Sequence, residues 1–182
     1  YTRRPRSIGE TAHLDDMLRA CGDADALVLA SDAVPLPGWA LQLVACAARD
    51  PAIATATPWC NAGETASWPR LGEVMPVPDE PVRLARAAAS LPPHHPELPA
   101  AVNHAVFLRG SARRKAGGID ASSYASWHAA LVDLSLRMAG LGWRNVLCET
   151  AFVARGREGM PLGDDIDTLT ERWPTWHARL GQ

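Results

Sequence analysis

Residues 26–39 read ALVLASDAVPLPGW, and this stretch decides the fold. It opens with Ala26-Leu27-Val28-Leu29-Ala30, an apolar run too short for a helix and bounded by turn residues. Such a run predicts a buried strand in a parallel setting, where both faces are covered. Ser31-Asp32 stands at its carboxyl end, and Pro35, Pro37 and Gly38 predict a bend. A carboxylate in that place faces the crevice where open α/β sheets bind ligands. Hard oxygen ligands suit Mg²⁺ or Mn²⁺, so Asp32 is a candidate to hold a cation that bridges a diphosphate. Taken alone, it fits a turn or helix-cap aspartate better, since aspartate is common in such turns.

Downstream, Trp39 to about Ala48 reads as an amphipathic helix, and Asp50-Pro51 leads into a second strand over Ala52–Thr57. Strand, helix, strand with short joints is the βαβ pattern. Upstream, Leu14, Met17, Leu18 and Cys21 recur at helical spacing, with Thr11 as the expected cap and Gly22 as the stop. Residues 58–81, rich in proline, glycine and polar groups, predict a long surface loop. Further elements follow in order: a helix over Pro81–Ser90, a strand over Ala101–Leu108, and a short helix over Ser111–Ala116 stopped by Gly117-Gly118. A long helix over Trp127–Leu141 and a strand over Asn145–Ala154 come next. The polar tail carries Asp164, Asp165 and Asp167, then a helix around Leu169–Leu180. No internal repeat or linker divides the 182 residues, so residues 1–182 read as one domain with a tail from residue 157.

Composition narrows the class. Hydrophobic residues are 47% and charged residues 21%, too apolar for a disordered chain. A formal net charge of −2 offers no basic field for nucleic acid. No apolar run approaches the roughly 20 residues of a membrane span. Cys21, Cys46, Cys60 and Cys148 lack C-x-x-C spacing and read as small buried apolar residues in a reducing compartment, which points to the cytoplasm. Lys115 is the single lysine; with abundant alanine, it suggests GC-rich coding.

The ordered set of short motifs carries a resemblance. Ala26–Trp39 is similar to the "strand, then S-D-x-x-x-x-x-G-W" segment of the family-two glycosyltransferases of the GT-A fold, and DPAIATATPWCN to their "D-P-x-I-x-x-x-x-P-x-x-N". Ser67-Trp68-Pro69, Val106-Phe107-Leu108-Arg109, Lys115-Ala116-Gly117-Gly118-Ile119-Asp120, Asp133-Leu134-Ser135-Leu136-Arg137 and Gly142-Trp143-Arg144 follow in the family's order. The resemblance spans residues 22–156. It implies an α/β, Rossmann-like GT-A fold, with a mixed, mostly parallel sheet flanked by helices. It implies hexosyl transfer with inversion from a nucleotide-sugar donor to a glycan or lipid-linked acceptor, as in bacterial polysaccharide biosynthesis. The cytoplasm, or the inner face of the membrane with peripheral association, is the implied location.

The resemblance also implies roles. Ser31 and Asp32 fall on the donor side, with Asp32 on an Mg²⁺ or Mn²⁺ ion that neutralises the leaving diphosphate, and Gly117, Gly118 and Asp120 fall beside the donor sugar or the acceptor. Asn61 falls on the acceptor side; by residue type Trp59, Trp68 and Trp127 are further candidates there, because aromatic faces stack on sugar rings, against the commoner role of packing.

Several positions depart from the family's pattern. Ala130 and Leu131 stand where an acidic pair supplies the acceptor base. Asp133 and His128 are then the candidate catalytic groups, although Asp133 also suits an i,i+4 pair with Arg137 and His128 a packing role. Arg155 stands where relatives place a metal-binding histidine; a guanidinium cannot ligate a cation but grips phosphate in a fork. Asn103-His104 replaces small residues. The strands that grip the nucleotide base are missing, reduced or supplied upstream of Tyr1.

Two readings remain open: an active glycosyltransferase, or a degenerate glycosyltransferase-like binding or scaffold domain. A dinucleotide-dependent dehydrogenase is excluded, since no G-x-G-x-x-G follows a strand.

Overall fold

The computed structural model describes residues 6–157 and 159–176. Helix α1 spans Glu10–Ala20, followed by strands β1 (Ala26–Leu29) and β2 (Ala33–Pro35), helix α2 (Trp39–Ala48) and strand β3 (Ile53–Trp59). After a 3-10 turn at Glu64–Ala66 come α3 (Pro81–Ala89), β4 (Ala105–Leu108), α4 (Gly110–Lys115), α5 (Trp127–Gly140), β5 (Arg144–Arg155) and α6 (Asp165–Arg172).

The strands form a mixed sheet in the order β1-β4-β3-β5-β2. Strands β1, β3 and β5 run the same way, and β3–β5 is a parallel pair. Strand β4 inserts antiparallel between β1 and β3, and β2 pairs antiparallel with β5, so the sheet is mixed and mostly antiparallel in its ladders, where a mostly parallel one is expected. β1 is therefore an edge strand and only partly buried, where its apolar run predicts full burial.

At the opposite edge, Ala33–Pro35 pairs with Val153–Arg155 instead of forming the expected bend. Proline is tolerated on an edge because its missing N–H faces no second neighbour.

Period-two alternation assigns the two faces of the sheet. Val106 and Leu108 of β4 pack with Leu18, Leu131, Leu134, Met138 and Leu169. Phe107 turns the other way, toward Leu43, Cys46, Ile53, Val146 and Cys148. Helices α1, α4, α5 and α6 thus cover one face and α2 the other, a three-layer arrangement. Helix α5 is buried along most of its length and is capped by Ser126, whose hydroxyl accepts from the Ala129 N–H at 3.2 Å.

Local expectations are adjusted at several points. Thr11 lies inside α1, not at its cap, and its hydroxyl donates to the Tyr124 carbonyl at 2.8 Å. Cys21 is exposed, whereas the other cysteines are buried; all four are free thiols. Strand β4 begins at Ala105, because the N–H groups of Ala101 and Val102 donate to Ser135 Oγ and Thr57 Oγ1 instead of a ladder. The tail helix runs over Asp165–Arg172, and residues 177–180 of the expected one lie outside the described residues. Among the described residues no helix is long and apolar enough to cross a membrane.

Candidate functional site

Strand β1 ends at Leu29, and the chain turns at Ala30–Asp32 to start β2. That turn forms one wall of a cleft of about 620 Å³, whose other walls include Asn103, Trp127, His128, Arg155 and Arg157. The Asp32 carboxylate faces Arg155, whose Nε donates to Oδ1 at 3.1 Å and Oδ2 at 3.0 Å. Arg157 Nε lies 3.5 Å from the same Oδ2. Partial burial alone raises the Asp32 pKa, but the hydrogen bond and charge of Arg155 outweigh it and hold the carboxyl below its usual value.

Arg155 is fixed from several sides. Its Nη1 donates to Asn103 Oδ1 at 2.7 Å. Asn61, buried, mimics a neighbouring strand: its Oδ1 accepts from the Arg155 N–H at 2.8 Å and its Nδ2 donates to the Arg155 carbonyl at 2.8 Å. The same Nδ2 donates to the Met75 carbonyl at 2.7 Å. A Cβ on Gly159 would overlap the Asn103 carboxamide, so glycine is what lets the segment after β5 lie against it. The Arg155 side chain is 8% exposed, and its Nη2 has no partner among the described residues.

Also in the cleft lining is His128, whose Nδ1 lies 3.2 Å from Glu64 Oε1. Glu64 adopts φ 49°, a left-handed conformation unusual for glutamate, at the first residue of the 3-10 turn. The histidine ring lines the cleft, and its Nε2 has no protein partner among the described residues.

Ser31, Asp32, His128 and Arg155 are thus brought together, and Trp127 shares their cleft. Other candidates lie elsewhere. Asp133 is fully buried and accepts from Arg137 Nε at 2.8 Å, Trp173 Nε1 at 3.0 Å, Arg172 Nη1 at 3.1 Å and Tyr124 Oη at 3.4 Å. Arg137 also donates to the Ala116 carbonyl and, at 2.7 Å, to the Gly118 carbonyl. The Asp133–Arg137 pair therefore clamps the Gly117-Gly118 turn, where φ is 85° and 78°. Those glycines and Asp120 line a different, open hollow with Arg172 and Trp173. Burial would raise the Asp120 pKa, but hydrogen bonds from Ser122, Ser123 and Arg172 lower it.

Trp59 and Trp68 pack on each other, ring centroids 6.4 Å apart, and Trp68 meets the edge of Phe152 at 6.2 Å. They belong to a hydrophobic cluster with Leu36 and Ala88 and do not line the cleft. Asn61 acts on Arg155 from behind and does not line the cleft either. His104, fully buried, has its Nε2 2.9 Å from the Pro58 carbonyl; burial pushes its pKa down to about 4. Asn103 and Glu64 complete the site. The sequence signals neither role, since one precedes a strand and the other lies in a polar loop.

The residues present do not fit a divalent cation. Both Asp32 oxygens are engaged by a guanidinium, and no group of three His, Cys, Asp or Glu residues converges among the described residues. A dication beside Asp32 would also be repelled by the two guanidinium groups that already face the carboxylate.

No family model and no curated protein matches the chain. Among solved structures, the chain is similar to GalNAc-T7 crystallised with UDP, GalNAc and Mn²⁺, with a TM-score of 0.66 and 15% identity. The match covers 94% of this chain and 36% of that one, so the chain spans about a third of its length. The mixed sheet with helices on both faces is a GT-A-like glycosyltransferase fold.

Proposed function

We propose that residues 1–182 form a glycosyltransferase-like domain that binds a nucleotide-activated sugar in the cleft beside β1. The observation that carries this reading is the Asp32–Arg155–Asn103 network at the carboxyl end of the sheet, open to a hollow of about 620 Å³. Guanidinium groups there match the diphosphate of such a donor. Ser31 shares this wall. Gly117, Gly118 and Asp120 contribute to the fold near a separate hollow and take no part in the step below.

Transfer would proceed by inversion. His128 Nε2 takes the proton from an acceptor hydroxyl, whose oxygen bonds to the anomeric carbon. The bond from that carbon to the diphosphate oxygen breaks on the opposite side, and the nucleoside diphosphate leaves with the electron pair. Arg155 and Arg157 stabilise the charge that develops on it. Met17, Met160 and Leu162 line the same cleft while 51%, 65% and 50% exposed. This apolar rim favours a lipid-linked acceptor over a free glycan, and with it an acceptor presented at a membrane surface.

A second reading is a degenerate domain that binds without turnover. Its support is that Ala130 and Leu131, at the positions of the expected acceptor base, are fully buried and apolar. Sugar-nucleotide hydrolysis and transfer assays decide between them. Turnover that falls in His128→Gln supports the enzyme, whereas donor binding with no turnover by the wild type supports the binding domain.

A further inference from the structure

We infer that this cleft holds the diphosphate of its ligand without a divalent cation, the guanidinium of Arg155 standing where a metal would otherwise neutralise the charge. The inference rests on the reading of the cleft as a nucleotide-diphosphate site and specifies how that site works.

Three observations carry it. First, the carboxylate that would have to ligate a metal is already occupied: Arg155 Nε reaches both Asp32 oxygens at 3.0 and 3.1 Å, and Arg157 approaches to 3.5 Å. Second, the cleft offers no replacement ligand set. Glu10 accepts from the Trp127 N–H at 3.1 Å, His128 faces Glu64, and no three ligating groups converge among the described residues. Third, the guanidinium is built in, not incidental. Asn61 pins its backbone, Asn103 and Asp32 orient its side chain, and Nη2 is left without a protein partner among the described residues.

A guanidinium that is already desolvated and oriented loses little further freedom when it meets a phosphate oxygen. One carboxylate faces two guanidinium groups, so the set keeps a net positive charge for an anion. Asp32 thereby changes role. It is a positioning residue for Arg155, and its negative charge opposes the phosphate instead of recruiting a metal to it.

That reversal of sign supplies the test. UDP and inorganic pyrophosphate are titrated calorimetrically into the whole chain, in EDTA and in Mn²⁺, for wild type, Asp32→Asn, Arg155→Lys and Arg157→Ala. Without metal linkage, the Kd for UDP agrees in the two buffers to within about twofold. Asp32→Asn removes a repelling charge and tightens binding in EDTA by roughly two- to tenfold. Arg157→Ala, at a mostly exposed side chain that leaves folding intact, weakens it by roughly three- to tenfold. Arg155→Lys, which cannot make the fork, weakens it further.

UDP binding that needs Mn²⁺ and vanishes in Asp32→Asn overturns the inference while leaving the nucleotide reading intact. Absence of UDP and pyrophosphate binding in both buffers overturns the two together.

Discussion

Asp32 and Arg155 meet across the edge of the sheet although 123 positions separate them, one at the turn after β1 and the other the last residue of β5. Strand β2 makes this contact possible: Ala33 lies opposite Arg155 in the ladder, which brings the residue before it alongside the arginine. A short edge strand thus sets the geometry of the site.

The pair makes a prediction about acid stability. The folded pKa of Asp32 is below the ordinary value, so its contribution is complete above the unfolded pKa of about 4 and is lost as pH falls through the folded pKa. Urea denaturation at pH 7 and pH 3 should therefore show a larger acid loss for wild type than for Asp32→Asn. Equal losses contradict the pairing.

His104 acts in a higher pH window. It is buried and neutral, with a folded pKa of about 4 against an ordinary 6.5. The unfolded chain gains a proton that the folded chain refuses, so stability falls as pH drops from about 6.5 to 4, by up to roughly 3 kcal/mol. Guanidinium denaturation of wild type and His104→Leu at pH 7.5 and pH 4.5 checks this. The variant should be less stable at the higher pH yet lose less between the two.

Asn61 predicts a stability defect that spreads to the site. Its removal strips partners from both the N–H and the carbonyl of Arg155. Asn61→Ala should cost about 2–4 kcal/mol, since buried polar groups left unsatisfied cost about 1–3 kcal/mol each. A change in denaturation midpoint smaller than the error of measurement contradicts the assignment.

Asp133 separates a structural role from a catalytic one. Its carboxylate gathers Arg137, Arg172, Trp173 and Tyr124, tying α6 and the Gly117-Gly118 turn to α5. Asp133→Ala should lower stability by roughly 3–5 kcal/mol, as expected when one member of a buried charge pair is removed. A variant of unchanged stability that lacks only turnover would make Asp133 catalytic instead.

His128 and Glu64 predict a kinetic split. His128→Gln should reduce transfer by about 10²–10⁴-fold with donor binding intact, the range for loss of a positioned base. Glu64→Gln should cost less, because it removes the charge beside the ring without removing the ring. Equal donor-binding loss in both variants would place the pair in binding instead.

The layers of the fold were legible because burial writes its period into the chain. The apolar runs of β3 and β5 and the helical stripe of α5 announce themselves. The edges were not. Ala33–Pro35 carries bend residues, and only its pairing with β5 makes it a strand. Within the site, Asp32 and Arg155 stand out by type and place, and His128 by its neighbourhood. Asn103 stands out only as a departure from the family's pattern and Glu64 not at all, because their roles exist only through partners 52 and 64 positions away. The Asp133–Arg137 spacing suggested both catalysis and an i,i+4 pair, and tertiary contacts alone distinguish them. Tryptophans in a loop looked free to stack on sugar, but Trp59 and Trp68 found each other and Phe152 first.

The most direct test is a crystal structure of the chain grown with UDP. The diphosphate is expected at the carboxyl end of β1, within hydrogen-bond reach of Arg155 and Arg157. Nucleotide bound instead in the hollow beside Gly117, Gly118 and Asp120, with the Asp32–Arg155 cleft empty, would contradict it.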